Sequence, residues 1–89
     1  MDKEEFVKSL GIRGAGAEGE AGYVVTFADS NAYADAYSRL SSSSEVELDP
    51  EYGTASEHGS EMRYVSDNFE LTLKADFDRD AYSLVVTEA

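Results

Sequence analysis

Apolar residues in the last third of the chain recur at every second position. Met62, Tyr64, Phe69, Leu71, Leu73, Tyr82, Leu84 and Val86 fall on one side of extended segments that break at Asp67-Asn68 and again between Asp76 and Ala81. That is the period of half-buried β-strands. If Asp67-Asn68 is a two-residue hairpin turn, Ser66 faces Phe69, Tyr64 faces Leu71 and Met62 faces Leu73. The same parity carried onward sets Leu73 opposite Leu84 and Leu71 opposite Val86. A slip of one residue would mix the two faces, so the pattern specifies a register. The opposite face carries Arg63, Val65, Glu70, Thr72, Lys74, Ser83, Val85 and Thr87, a mildly polar set suited to solvent or to a second copy of the chain.

Upstream the period changes. Phe6, Val7 and Leu10 share one side of a short helix over residues 2–10, with Asp2, Glu4 and Glu5 in its first turn and Gly11 as its C-terminal stop. Five of the seven glycines lie between Gly11 and Gly22, a composition that predicts a flexible linker. The chain therefore divides into a helical arm (1–11), a Gly-rich linker (12–22) and a folded domain (23–89). Tyr23, Val25 and Phe27 alternate on a strand, and Asp29 or Ser30 can cap the helix that follows. In that helix Tyr33, Ala36, Tyr37 and Leu40 form one apolar stripe. A short strand around Val46 and Leu48 stops at Pro50, and residues 49–61 read as a polar loop. The expected fold is α+β: a small antiparallel sheet in the order β-α-β-β-β-β, one helix packed on a face, and an extra N-terminal helix.

Charge changes the functional picture more than the fold. Nineteen Asp and Glu stand against seven Lys and Arg, a net charge of −12 on 89 residues. Colloidal stability needs only about 2 to 8 net charges, so the excess points to a basic partner. Six Tyr and four Phe set the chain apart from a disordered acidic tail. It has no Cys, which fits a reducing cytoplasm and removes thiolate chemistry. No apolar run approaches the ~18 residues of a membrane span, and anionic lipid would repel the chain.

The motifs that suggest chemistry fail on context. Gly14 to Gly19 match G-x-G-x-x-G, but a helix precedes them and a strand follows, the reverse of a dinucleotide site. Asp76, Asp78 and Asp80 match the first ligands of a calcium loop, yet Ala81 and Thr87 stand where Gly and Glu are required. His58, the single histidine, lies in a polar loop without a nucleophile elbow. No metal, cofactor or enzymatic activity is expected. Direct nucleic-acid binding is disfavoured, because duplex affinity rests on Lys and Arg neutralising phosphates.

The register has one further consequence. The start of the strand at Met62, the end of the strand at Lys74 and the start of the strand at Tyr82 share one end of the sheet. Their flanking loops then gather Asp49, Glu51, Glu57, Glu61, Asp76, Asp78 and Asp80 into an anionic pole, with Tyr52 as an aromatic anchor. Residues 45–89 hold twelve acids and three bases, so the charge is expected to be polarised and to steer a basic protein toward it. In composition the chain resembles phage anti-restriction, anti-CRISPR and glycosylase-inhibitor proteins that occupy nucleic-acid channels, though no motif identifies a family. By this analogy it is an acidic nucleic-acid-mimic inhibitor in the cytoplasm of a bacterial or archaeal host, able to self-associate as a homodimer. Two alternatives remain: an acidic domain of a salt-loving organism whose charge is general adaptation, and an immunity- or antitoxin-like inhibitor of a basic enzyme.

Overall fold

A computed structural model describes all 89 residues. The elements run α1 (Lys3–Ser9), β1 (Ala15–Gly19), β2 (Gly22–Phe27), α2 (Ser30–Ser42), β3 (Glu47–Leu48), β4 (Thr54–Ala55), β5 (Gly59–Val65), β6 (Phe69–Asp76) and β7 (Ala81–Glu88). They form one antiparallel seven-stranded sheet in the order β1-β2-β7-β6-β5-β3, with β4 also paired to β5. The α+β class holds, and both helices pack on the same face.

The register expected for the last third is the one observed. Met62 pairs with Leu73, Tyr64 with Leu71, Leu73 with Leu84 and Leu71 with Val86, and the turn closes through Ser66 N–H donating to Phe69 O at 2.9 Å. Leu71, Leu73, Leu84 and Val86 are fully buried; Met62, nearer the edge, is half-buried. Strand β2 adds Val25 and Phe27 to the same face through its pairing with β7. The first domain strand thus lies beside the last, an adjacency that periodicity along the chain does not encode.

Helix α2 crosses this face. Asp29 Oδ1 accepts from Ala32 N–H at 2.9 Å as its N-cap, while Ala36 and Leu40 are buried. Tyr33 stacks at 5.2 Å on Tyr82 and its hydroxyl meets Ser60 Oγ. Tyr37, expected in the same stripe, is 44% exposed.

The first 22 residues depart most from the sequence expectation. Where glycine content predicts a linker, Ala15–Gly19 form the edge strand β1, paired residue by residue with β2. What glycine forfeits in side-chain packing is restored across the strands: the Tyr23 ring lies over Gly16, so close that a Cβ at Gly16 would collide with the hydroxyl, an arrangement in which an aromatic covers an edge glycine. Helix α1 is part of the core and not a tethered arm. It ends in a Schellman motif, with Gly11 at φ +80°, Gly11 N–H donating to Lys8 O and Ile12 N–H to Val7 O. That bend turns Ile12 back into the core beside Phe6, Val7 and Leu10. The Phe6 ring stacks 4.8 Å from Phe69. Phe6→Ala is therefore expected to destabilise the whole domain by about 3–5 kcal/mol, the usual cost of emptying an aromatic core site. Urea unfolding measures it, and an unchanged midpoint would mean that α1 is only a tether.

Candidate anionic interface

The two acidic loops do meet at one end of the sheet. Gly59 pairs with Asp76, Asp76 with Ala81, and Phe77 N–H donates to His58 O at 2.9 Å. Glu57, Asp76, Asp78 and Asp80 are thereby neighbours, with Glu61 two strand residues inward opposite Lys74. Asp49 and Glu51 are not at this end. Asp49 N–H donates to Arg63 O at the middle of β5, and Asp49 Oδ1 accepts from Glu51 N–H, so both lie along the β3 edge.

This end is partly compensated, because two of the seven Lys and Arg side chains, Lys74 and Arg79, lie among its acids. His58 lies 2.9 Å from Asp78 and 3.5 Å from Glu57, Arg79 lies 3.8 Å from Asp76, and Lys74 lies 4.0 Å from Glu61. Asp80 holds φ +51° in the turn, a left-handed geometry that Asp tolerates through its short polar side chain. Tyr52, expected as a free anchor, is tied down: its hydroxyl donates to Glu61 Oε2 at 2.7 Å, and the Arg63 guanidinium lies 3.9 Å above its ring. Arg63 in turn approaches Thr72 Oγ1 at 3.4 Å, and together these side chains shield Thr72 on the face of the sheet that carries no helix. The large exposed aromatic at this end is Phe77.

The opposite end of the sheet carries the less compensated charge. Around the β5–β6 hairpin at Asp67-Asn68 lie three adjoining shallow hollows of roughly 300 Å³ each, into which Asp2, Glu45, Glu47, Asp67 and Glu88 project. None of these five has an ion-pair partner. Lys3, the nearest basic side chain, is engaged by Glu18, whose hydrogen bond pushes the ammonium above its ordinary pKa. The amino group of Met1 is the other cation in reach. Across the molecule eight carboxylates pair with Lys, Arg or His within 4.0 Å, leaving eleven of the nineteen unpaired. Charge is thus distributed over both ends, and at the hairpin end, which the count along the chain did not single out, all five acids lack an ion-pair partner.

Two phenols at the β5 side give the frame a pH signature. Hydrogen bonding to Glu61, reinforced by burial, raises the Tyr52 pKa; burial raises that of Tyr64, whose hydroxyl meets Ser41 Oγ at 3.0 Å. Above the ordinary value of about 10 the unfolded chain loses these protons while the fold keeps them, so stability falls as pH rises. Urea midpoints should accordingly be level up to about pH 9 and drop above pH 10, and Tyr52→Phe should blunt the drop.

No helix is long and apolar enough to cross a membrane. No protein-family model matches the chain, and neither does any curated protein or solved structure in the comparisons made.

Proposed function

We propose that this domain binds a basic, nucleic-acid-contacting surface of another protein through the carboxylates around its β5–β6 hairpin, which stand where phosphates would otherwise lie. The observation that carries the reading is the cluster of Asp2, Glu45, Glu47, Asp67 and Glu88 without ion-pair partners. Asp67 lies on the hydrogen-bonded turn, Glu47 and Glu88 on β3 and β7, and Asp2 caps α1, so little order has to be gained at these four positions on binding. The longest dimension of the molecule is 34 Å, a length over which duplex DNA carries about 20 phosphates at one charge per ~1.7 Å. A net charge of −12 is the same order of linear density. The role is inhibition by occupancy, of the anti-CRISPR or anti-restriction kind, in the cytoplasm of a bacterial or archaeal cell.

Affinity capture from bacterial extract at low and at high salt tests this. The retained proteins should be basic and nucleic-acid-binding, and salt should release them. Retention of acidic or neutral proteins that salt leaves bound would overturn the proposal.

One observation favours a second reading. Glu5, Glu20, Asp29, Asp49, Glu51 and Asp80 are also unpaired and lie away from the hairpin, and Lys occurs only three times, as general adaptation to high salt would produce. Circular dichroism in dilute buffer separates the two: a decoy stays folded there, whereas a salt-adapted domain unfolds until salt approaches molar concentration.

A further inference from the structure

The two edges of the sheet are finished differently. The β3/β4 edge is cut into two-residue strands around Pro50 and flanked by Glu47, Asp49 and Glu51, the features by which proteins keep other strands from adding to a sheet. Strand β1 is longer and less guarded: its one acid, Glu18, is paired with Lys3. Its five residues are all exposed, contain no proline and pair with β2 without a bulge.

The direction of its unpaired backbone groups follows from the turn. Gly19 and Gly22 flank the two-residue connection Glu20-Ala21, which makes them a hydrogen-bonded pair. Ala15, Ala17 and Gly19 then direct N–H and C=O toward β2, while Gly16 and Glu18 direct theirs outward. None of the backbone hydrogen bonds made outside the helices and strands involves residues 13–21, and the Glu18 side chain is engaged only by Lys3. The outer edge of β1 is open.

Charge selects the occupant. The outer rim of β1 is nearly neutral: Glu18 is paired with Lys3, and Arg13, two residues before the strand, is the one Lys or Arg without an ion pair. A strongly basic segment finds little to attract it here, whereas a second copy of the chain can approach without carboxylate facing carboxylate. We propose that β1 pairs antiparallel with β1 of a second copy about a two-fold axis at Ala17, joining the two sheets edge to edge. Ala17 then faces Ala17, Gly16 and Glu18 exchange hydrogen bonds on either side, and Gly14 faces Glu20. Neighbouring registers are poorer. Centring on Glu18 stacks the two Glu18 residues, and centring on Gly16 runs Glu20 against Ile12, which is buried in the core.

This association is separate from the basic-partner reading, and the two respond to salt in opposite senses: screening the net −12 of each copy tightens self-pairing and weakens binding to a basic protein. Sedimentation equilibrium of the full chain should give twice the 9.7 kDa monomer mass, with the dimer favoured as salt rises. Because the chain has no Cys, Ala17→Cys places one thiol at the axis. Directly opposed residues of a non-hydrogen-bonded pair have Cα atoms about 4.5 Å apart, within disulfide range. Mild oxidation should cross-link Ala17→Cys at least about tenfold faster than Leu48→Cys at the other edge, since pairing raises the effective concentration of the first thiol alone. A monomer mass at all concentrations and salts, or equal cross-linking of the two variants, would overturn the proposal.

Discussion

Leu84→Ala is expected to leave the domain barely folded. Leu84 lies on β7, between β2 and β6, paired with Val25 on one side and Leu73 on the other, and it has no exposed surface. Removing its side chain forfeits the transfer free energy and leaves a cavity that strands held on both sides cannot close, together about 2–5 kcal/mol. A domain of this length has a total stability of about 5–15 kcal/mol and only one thin core to draw on. The urea midpoint should fall by a third or more at unchanged slope, about what such a loss implies under linear extrapolation. A midpoint within error of the parent would mean that the central strands are not packed as described.

The second large effect concerns the surface. Glu45→Lys, Asp67→Lys and Glu88→Lys together change the charge of the hairpin end by six units, at three exposed positions whose replacement leaves the core untouched. Association with a basic partner should slow by roughly 10- to 1,000-fold, the span over which electrostatic steering acts. A matched control, Glu57→Lys with Asp78→Lys and Asp80→Lys, makes the same change in net charge at the other end. If local geometry matters, the control loses much less. Equal losses would mean that only overall charge is sensed, which contradicts an interface at the hairpin. Stopped-flow association rates at low salt decide between these outcomes.

The last third of the chain was legible because two independent signals, the alternation of apolar residues and a two-residue turn, had to agree on one register. That register already set Lys74 opposite Glu61, so part of the neutralisation at the expected pole could be read from it. The partners of His58 and Arg79 could not: they depend on how the β6–β7 turn folds back over His58, which is loop geometry. Strand β1 was hidden because glycine and alanine carry almost no β-propensity, and its formation rests on backbone bonds to β2 and on the Tyr23 ring lying over Gly16. The docking of α1 was half visible. Its apolar stripe was plain, but its destination was set by the Schellman turn at Gly11 that brings Ile12 inward. Tyr52 and Tyr37 exchanged roles, since a tyrosine in a polar loop found Glu61 and Arg63, while one on a helical stripe stayed exposed. The hairpin end escaped notice because its acids come from four separate segments, near residues 2, 45, 67 and 88, which only the folded sheet brings together.

Direct competition decides whether these carboxylates stand in for phosphates. With a captured basic partner bound to labelled duplex DNA, or to guide RNA if it carries one, the domain is titrated in at low salt and fluorescence anisotropy followed. Stoichiometric displacement of the nucleic acid, lost as salt rises and lost with the hairpin-end triple variant, is the expected result. Nucleic acid and domain bound to the partner at the same time would contradict it.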